Sequence, residues 1–232
     1  MAAIAAHRDQ FSTNRFAPVL AGVVGAAAED EAAFDRVGTV ISLGREQTLF
    51  FEGDAAQHCF KVVSGALRSC RLLPDGRRHV NEFLLPGDFV GLEDGDEHRS
   101  TVEAVNDATV MRYPRRAIDQ LVQQQPRLGK RLLGRLCENL SAAHAQMLLL
   151  GRKNAVERVA SFLLAMSERN GEDDRIVLPM TRSDIADHLG LTIETVSRTF
   201  SQLRSLGVIQ LKVSSEVVIE RRSQLEDIAE AA

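Results

Sequence analysis

Three polar side chains are grouped within five residues near the C-terminus of the chain: Glu194, Ser197 and Arg198. An arginine can bind the O6 and N7 atoms of guanine through two hydrogen bonds, a carboxylate can accept one from cytosine N4, and a serine hydroxyl can serve either class of base. Spacings of three and four residues place all three side chains on one face of a helix. The set therefore has the chemistry needed to read base edges in the major groove of DNA.

The surrounding segment, TRSDIADHLGLTIETVSRTFSQL, has the pattern of a helix-turn-helix. Ala186 is small enough for a close crossing of two helices, and Gly190 supplies the backbone freedom that the tight turn requires. Thr181 and Thr192 are predicted as the N-caps of the two helices. The residues predicted to bury one face of each helix are Ile185, Leu189, Leu191, Val196, Thr199, Phe200 and Leu203.

The same spacing also fits an αα-hairpin in an ordinary helical domain, with Glu194, Ser197 and Arg198 as solvated surface residues. The residue types favour base reading, so residues 192–203 are interpreted as a recognition helix. Nearby side chains are candidates for contacts with DNA phosphates, and each also fits a solvated surface residue. These candidates are Thr181, Arg182, Thr192, Thr195, Ser201, Arg204 and Lys212.

The string Glu194-Thr195-Val196-Ser197-Arg198 resembles the recognition-helix signature of the Crp/Fnr superfamily of transcription regulators, in its Fnr/FixK branch. In that branch the glutamate, the serine and the arginine of the motif read a TTGAT-type half-site. The resemblance implies the same roles for Glu194, Ser197 and Arg198. It also implies an operator of the TTGAT-N4-ATCAA type, which is a palindrome.

The chain between about residues 37 and 114 consists of short runs with alternating apolar residues, many of them separated by glycine-bearing turns. This pattern predicts an antiparallel jelly roll or barrel. The predicted strands are Val40–Leu43, Thr48–Phe51, Phe60–Val63, Leu67–Leu73, Val80–Leu85, Thr101–Val105 and Thr109–Tyr113. Three turns, FEGD, VVSGALR and LLPGDFVG, resemble the effector-domain signature of the same superfamily, which implies a barrel like that of cyclic-nucleotide-binding domains.

A heptad-like stripe lies between the two predicted domains, with apolar residues in alternating steps of three and four. Its members are Leu133, Leu136, Leu140, Ala143, Met147 and Leu150. Such a stripe is often ordinary core, but a long helix joining a barrel to a helix-turn-helix has little else to bury it against. We therefore predict that it pairs with the same helix of a second subunit. A parallel two-fold dimer would set two recognition helices about 34 Å apart, which suits a palindromic site.

The expected fold is α+β: a jelly-roll barrel, a long dimerisation helix and a winged helix-turn-helix. The wing is predicted from two strands, Val208–Leu211 and Val217–Ile219, and the supporting helix spans Ala155–Met166. The expected division of the chain is an N-terminal extension (1–30), the barrel (31–114), the dimerisation helix with its linker (115–153) and the DNA-binding domain (154–232).

Charge does not mark the C-terminal domain as a DNA-binding one. Residues 154–232 contain 9 Lys and Arg against 13 Asp and Glu, whereas residues 114–153 contain 8 against 2. Most nucleic-acid-binding domains are basic, so we expect weak non-specific affinity. Helix N-termini, backbone amides and a few arginines can still hold phosphates.

The chain has 232 residues, enough for two modest domains and a connecting element. It has no apolar run long enough to span a membrane, since about eighteen residues are needed. The alanine-rich start, residues 1–6, is too short and too weakly apolar for a signal peptide. We therefore expect a cytoplasmic protein that does not contact membranes.

The cysteines indicate whether the chain could bind an iron–sulfur cluster as its effector. They are Cys59, Cys70 and Cys137. Oxygen-sensing Fnr proteins hold an iron–sulfur cluster through several cysteines, most of them near the N-terminus, and four thiolates are the usual requirement. None of the three cysteines here lies in the first fifty residues. We therefore expect no cluster and no other cofactor, and we interpret the three thiols as buried small hydrophobic groups.

Binding of a cyclic nucleotide is also disfavoured. In Crp-like members a glutamate and an Arg-Ser pair follow the LLPGDFVG-like turn, but here only Arg99 and Ser100 match that pattern. The loop before them, residues 93–98, is acidic and would repel a phosphate. Arg99 and Ser100 keep open the alternative of a Crp-like regulator gated by a small ligand in the barrel.

This combination of motifs most resembles the FixK-type regulators, which act without a known bound effector. The resemblance implies an activator of genes for low-oxygen respiration or nitrogen fixation that contacts RNA polymerase. A more remote alternative is a metal-dependent cupin-type enzyme, because residues 74–79 match part of a cupin motif. No His-x-His pair precedes them, so His79 is expected to be an exposed hairpin residue and the chain is not expected to be an enzyme.

Overall fold

A computed structural model describes residues 37–92, 95–171, 174–213 and 215–231. The expected N-terminal extension, residues 1–30, lies outside the described residues, as do Glu93 and Asp94 of the acidic loop. The described part contains an N-terminal barrel, two successive helices and a C-terminal domain of helices and a small sheet. This arrangement confirms the predicted α+β fold.

The barrel is a jelly roll made of two four-stranded antiparallel sheets, with strand orders β1-β8-β3-β6 and β2-β7-β4-β5. Its strands are β1 Thr39–Leu43, β2 Thr48–Phe50, β3 His58–Ser64, β4 Leu67–Leu72, β5 Arg78–Leu84, β6 Phe89–Val90, β7 Thr101–Ala104 and β8 Ala108–Pro114. Alternate residues of the two sheets point inward, so that Val62, Leu67, Val102 and Val110 are completely buried between them. All seven predicted strands are present, with ends shifted by up to two residues.

The turn between β3 and β4 depends on Gly65. Its φ is +77°, and a Cβ atom there would lie 2.4 Å from the Asp107 carbonyl oxygen. Only glycine meets both conditions, because it has no Cβ and reaches positive φ without steric cost. The close approach holds the β3–β4 turn against the turn between β7 and β8.

The region between the domains forms two helices, α1 Arg115–Gln124 and α2 Pro126–Arg152. The sequence predicted one helix with a linker over residues 115–153, so α1 was not distinguished from α2. The break falls at Gln125 because proline disfavours helical backbone in the residue before it, while fitting well as the first residue of the next helix.

The C-terminal domain follows with α3 Ala155–Arg169, β9 Arg175–Val177, α4 Arg182–Leu189, α5 Ile193–Ser205, β10 Ile209–Val213, β11 Glu216–Ile219 and α6 Arg222–Ala229. Strands β10 and β11 form the predicted wing, and β9, which was not predicted, pairs with β11 to complete an antiparallel sheet. The supporting helix α3 begins at a capping box made by Asn154 and Glu157.

The hydrophobic core of the C-terminal domain continues into the barrel. Phe83 of β5 lies 6.2 Å from Phe162 of α3 between ring centroids, in an edge-to-face arrangement. Val80, also on β5, is completely buried in the same cluster. The two domains therefore share a packed interface, at which β5 contacts α4.

Candidate nucleic-acid interface

The first helix of the helix-turn-helix, α4, begins at a capping box. The Thr181 hydroxyl accepts a hydrogen bond from the Asp184 amide (3.2 Å), and the Asp184 carboxylate accepts one from the Thr181 amide (3.0 Å). The helix ends at Gly190, whose φ of +62° is left-handed. Both features confirm the predicted boundaries, and the αL glycine turns the chain directly into the next helix.

The second helix, α5, begins after Thr192, whose hydroxyl accepts a hydrogen bond from the Thr195 amide (3.2 Å). The predicted N-cap is thus confirmed, and the predicted helix 192–203 is present as Ile193–Ser205. Val196 and Leu203 are completely buried, and Phe200 is 1% exposed. This face packs into the domain, so that the opposite face determines what the helix presents to a partner.

The three predicted base-reading residues, Glu194, Ser197 and Arg198, all lie exposed on that outer face. Hydrogen bonds from its own amide and from Thr192 lower the pKa of Glu194, so its side chain is an anion at neutral pH. A carboxylate can only accept hydrogen bonds, which matches the exocyclic amine of cytosine. The face therefore presents an acceptor, a hydroxyl and a cation within a little more than one helical turn.

Ile193, which was not among the predicted site residues, is exposed at the start of the same helix. An apolar side chain at the N-terminal end of a recognition helix can contact the methyl group of thymine. The spacing of Ile193 did not single it out, because it precedes Val196 by three residues and Phe200 by seven, which also fits the buried face. It lies beside the base-reading set as a fourth candidate.

Most of the predicted phosphate-contact residues are accessible. Thr181, Thr192, Ser201, Arg204 and Lys212 are exposed, and Thr195 is half-buried. Lys212 lies on β10 near the tip of the wing. Several hydroxyls already make internal bonds: the Thr192 and Thr195 oxygens are 3.0 Å apart, and Ser201 donates to the Ser197 carbonyl.

Arg182 occupies a different environment from the one expected of a phosphate contact. Its guanidinium lies over the Phe200 ring, 3.3 Å from the ring centroid. Burial lowers the pKa of Arg182 to about 10, which still leaves it a cation at neutral pH. The structure therefore gives Arg182 a packing role between α4 and α5, and its contact with DNA stays a prediction.

The end of α4 is attached to the long helix α2. Arg158 of α3 donates to the Leu189 carbonyl (2.8 Å) and to the Leu150 carbonyl (2.9 Å), so one guanidinium joins the last turns of α4 and α2. Gln146 of α2 also donates to the His188 carbonyl (3.0 Å). These contacts fix the helix-turn-helix relative to α2, and none of them was predicted from the sequence.

The beginning of α4 is attached to the barrel through Asp184. Arg68 of β4 and Arg78 of β5 both donate to its carboxylate, at 3.0 and 2.7 Å. Burial alone would raise the pKa of Asp184, but the Thr181 hydrogen bonds and the two arginines outweigh it and lower this pKa. Burial alone would likewise lower the pKa of Arg68, but hydrogen bonds to Glu46 and Glu103 and the charge of Asp184 outweigh it and raise this pKa.

The predicted dimerisation stripe lies on α2. Leu133, Leu140 and Met147 are 61%, 58% and 62% exposed, while Leu136 and Ala143 are also exposed. Leu150 differs, because it is half-buried and packs against the C-terminal core. Within the described part of the chain no other element covers these five side chains, so an apolar stripe faces the solvent.

Two of the three cysteines are buried as predicted, and the third is not. Cys59 and Cys70 are buried, and burial raises the pKa of the Cys70 thiol to about 11. Cys137 was expected to be buried but is exposed, because it lies on α2 beside the exposed stripe. Similarly, His79 was expected to be exposed but is half-buried on β5 opposite Arg71. Among the described residues, no group of three or more His, Cys, Asp or Glu side chains could hold a metal ion.

An open cleft of about 590 Å³ lies at the barrel loop that carries Arg99, and it is lined by residues of both charges: Glu52, Gly53, Arg71, Gly95, Asp96, Glu97, His98 and Arg99. The hydroxyls of Ser100 and Ser69 are hydrogen-bonded to each other (2.9 Å). Arg115 of α1 donates to the carbonyl oxygens of Gly91 and Gly95, which closes the loop onto α1. Internal partners therefore already occupy the Ser100 hydroxyl and the carbonyl oxygens of Gly91 and Gly95.

Comparisons with known proteins agree with this architecture. Residues 40–125 match the cyclic nucleotide-binding domain, and residues 157–228 match the Crp-like helix-turn-helix domain. The chain is 38% identical over 229 residues to the nitrogen fixation regulation protein FixK of Azorhizobium caulinodans, covering 95% of this chain and 91% of that protein. It is 38% identical over 188 residues to the transcriptional activatory protein AadR of Rhodopseudomonas palustris, covering 79% of this chain and 78% of that protein.

Among solved structures, FixK2 from Bradyrhizobium japonicum superposes with a TM-score of 0.80 at 40% identity. The superposition covers 84% of this chain and 99% of that chain, a share that includes both domains. The barrel and the helix-turn-helix are therefore similarly placed in the two proteins. In the described part of this chain, no helix is both long enough and apolar enough to cross a membrane.

Proposed function

The chain belongs to the Crp/Fnr family of DNA-binding transcription regulators. We propose that it binds a palindromic operator of the TTGAT-N4-ATCAA type as a homodimer. In this proposal Glu194, Ser197 and Arg198 read the bases of each half-site. Arg198 holds a guanine, Glu194 accepts from a cytosine amine, and Ser197 supplies an adaptable hydrogen bond.

The observation that carries this proposal is the division of α5 into two faces. Val196, Phe200 and Leu203 anchor one face in the core, while the base-reading set lies together on the other. A helix with a fixed, buried back and a polar front can enter the major groove without rearranging. The alternative of an ordinary αα-hairpin does not account for this set of base-complementary side chains on a Crp-like domain.

Phosphate contacts would hold α5 in register. Thr192 and Thr195 lie at the N-terminus of α5, where the helix dipole and free amides favour an anion. Ser201 and Arg204 lie further along the helix, and Lys212 on the wing would reach the backbone beside the groove. These contacts would hold the DNA phosphates although the domain has more acidic than basic residues and therefore lacks a broad basic surface.

The exposed stripe of α2 supports homodimerisation through this helix. Leu133, Leu136, Leu140, Ala143 and Met147 present an apolar surface that a second α2 would cover. Leu150, at the end of the stripe, would lie at the junction with the C-terminal core. Two-fold pairing would set the two recognition helices one DNA turn apart, as a palindrome requires.

The biological role that we propose is that of a FixK-type activator which works in the cytoplasm, contacts RNA polymerase and needs no bound cofactor. The relatives named above support this role, since they include the nitrogen fixation regulation protein FixK of Azorhizobium caulinodans and the transcriptional activatory protein AadR of Rhodopseudomonas palustris. Control of low-oxygen respiration or nitrogen-fixation genes fits these relatives. Catalysis has no part in the proposal.

The experiment that tests the proposal is a binding titration of the purified protein at fixed salt, with no ligand or metal added. One duplex carries TTGAT-N4-ATCAA and the other a scrambled sequence of the same composition. We expect binding to the operator to be at least about 10³-fold tighter, as is typical of specific regulators. Equal affinity for both duplexes would reject the proposed operator.

A second candidate function is a regulator of the same family gated by a small ligand. The cleft beside Arg99 supports it, because two arginines line that cleft. Three carboxylates also line it, which disfavours a phosphate. Repeating the titration with added cyclic AMP or cyclic GMP separates the two candidates: selective binding that appears only with the nucleotide would favour the gated regulator.

A further inference from the structure

Four charged residues connect the barrel to the first helix of the helix-turn-helix: Arg68, Arg78, Asp184 and Asp187. Arg78 donates to Asp184 (2.7 Å) and twice to Asp187 (3.0 and 2.8 Å), while Arg68 donates to Asp184 (3.0 Å). We call these four residues the domain latch. The two arginines belong to adjacent strands, β4 and β5, and the two aspartates lie three residues apart on one face of α4.

The latch is built into the fold more firmly than a surface ion pair. Arg68 and Asp184 have side chains that are 3% and 2% exposed. Arg68 is bound on its other edges by Glu103 and Glu46, which orient its guanidinium toward α4. Exposed ion pairs contribute little to stability, but a buried, multiply hydrogen-bonded pair fixes geometry, because separating the partners would leave charges unpaired.

Asp184 performs two tasks with its two carboxylate oxygens. Oδ2 accepts from Thr181 and caps α4, whereas Oδ1 accepts from both arginines of the barrel. The barrel therefore binds the first turn of α4 itself through these hydrogen bonds. Nearby, His188 Nδ1 donates to the Val80 carbonyl (3.0 Å), which adds a contact at the other end of α4.

These contacts leave the DNA-reading face of the protein accessible. The latch holds α4, and α5 lies beyond it with Glu194, Ser197 and Arg198 exposed. At the opposite end of α4, Gln146 and Arg158 connect the helix to α2. Helix α4 is thus fixed at its beginning by the barrel and at its end by the helix that carries the dimerisation stripe.

We propose that Arg68 and Arg78 are positioning residues for DNA recognition, which set the orientation of the helix-turn-helix relative to α2 without touching DNA. In a dimer, this orientation determines the separation and tilt of the two recognition helices. The latch is made entirely by the protein's own side chains, so the barrel holds the DNA-binding domain in place without an effector. This inference rests on the proposed function, because it assigns a role in operator binding.

The test uses Arg78, whose side chain is 27% exposed and can be replaced without leaving a large cavity, unlike the buried Arg68. Arg78→Ala in the full-length protein is compared with Arg77→Ala. The neighbouring Arg77 is 77% exposed and pairs with Asp75 inside its own hairpin. Both variants lose one positive charge from the same strand region, so their difference isolates the latch.

Two quantities are measured for each variant: operator affinity relative to scrambled DNA, and amide hydrogen exchange of peptides that cover α4. We expect Arg78→Ala to exchange faster in α4 and to lose about tenfold in operator affinity, with little change on scrambled DNA. Arg77→Ala should match the wild type in both measurements. Arg78→Lys should recover part of the affinity, because an ammonium can still reach one aspartate.

A double variant shows whether Arg78 acts through α4. Adding Asp187→Ala to Arg78→Ala should weaken operator binding no further than Arg78→Ala alone, because Asp187 has then already been deprived of its arginine. Unchanged exchange in α4, or unchanged operator affinity despite faster exchange, would overturn the latch as a positioning device. If the wild-type protein does not prefer the operator, the proposed function fails. The hydrogen-exchange measurement is independent of that result, because faster exchange of α4 in Arg78→Ala would show that the domain latch holds the helix.

Discussion

The Arg182 guanidinium lies over the Phe200 ring, 3.3 Å from its centroid, and so joins the first turn of α4 to the middle of α5. The contact is partly desolvated, which strengthens the attraction between a cation and an aromatic face. The relationship makes Arg182 a residue that fixes the angle between the two helices of the helix-turn-helix.

Replacement of Arg182 with Ala should therefore lower the free energy of unfolding by about 1–2 kcal/mol. Chemical denaturation of the variant and of the wild type measures this difference. A phosphate-binding role would instead show in the salt dependence of DNA binding, whose slope falls by about one for each phosphate that the protein no longer neutralises. Lower stability with an unchanged slope would assign Arg182 to packing alone, and a reduced slope would support its predicted contact with a phosphate.

Arg198 and Arg204 lie on the same helix and are both exposed, so they form a matched pair for separating base reading from phosphate binding. Arg198→Ala should cost about 1–3 kcal/mol on the operator and almost nothing on scrambled DNA, because it removes a bidentate hydrogen bond to guanine. Arg204→Ala should weaken binding to both duplexes alike. Titrations of both variants on both duplexes provide the test, and equal losses for Arg198→Ala would assign Arg198 to a phosphate instead.

The local part of this site was predictable from the sequence because its signals are short-range. The caps at Thr181 and Thr192, the αL turn at Gly190 and the buried positions of α4 and α5 all follow from steric rules that act within a few residues. The strands of the barrel were found for the same reason, since each alternates with period two between recognisable turns.

The missed features depend on tertiary contacts or on very short elements. Arg68 and Asp184 are 116 residues apart in sequence, and nothing local in either segment indicates that they meet. Strand β6 contains two residues, Phe89 and Val90, too few to show an alternating pattern. Helix α1 is a different case, because the break before α2 has a local signal in Pro126, but the prediction treated residues 115–153 as one helix with a linker.

Ile193 provides a test of base reading that does not involve charge. Its exposed side chain should contact a thymine methyl group in the TTGAT half-site, an interaction that contributes about 1 kcal/mol. Replacing the operator thymines with uracil removes the methyl groups and should weaken binding by the wild type. Ile193→Ala should be insensitive to that replacement, whereas equal sensitivity of the two proteins would show that Ile193 does not touch the methyl groups.

Asp184 should make the stability of the protein dependent on acidic pH. Its folded-state pKa is lowered below that of an unfolded aspartate, about 3.9. The stabilisation is therefore fully present above about pH 4 and is lost as the pH falls through the folded-state value, because the unfolded chain binds the proton first. Asp184→Asn should be less stable than the wild type at pH 7, and the difference should shrink below pH 4. Denaturation curves between pH 3 and pH 7 would show the reverse trend if Asp184 were unpaired.

The stripe on α2 allows the proposed homodimer to be tested at one position. Leu140 lies at the centre of the stripe and is 58% exposed, so a charge there costs little in an isolated chain but much within a dimer seam. Ala142 is also exposed and lies about 200° away around the same helix, which makes Ala142→Glu a matched control. Leu140→Glu should give monomers in light scattering and weaken operator binding at least tenfold, while Ala142→Glu remains dimeric, since half-site pairing contributes strongly to affinity.

Because both variants add one negative charge to a DNA-binding protein, electrostatic repulsion from DNA would affect them equally. A Leu140→Glu protein that remained dimeric would place the seam elsewhere, and a monomeric one that kept full operator affinity would reject dimerisation as the basis of palindrome recognition.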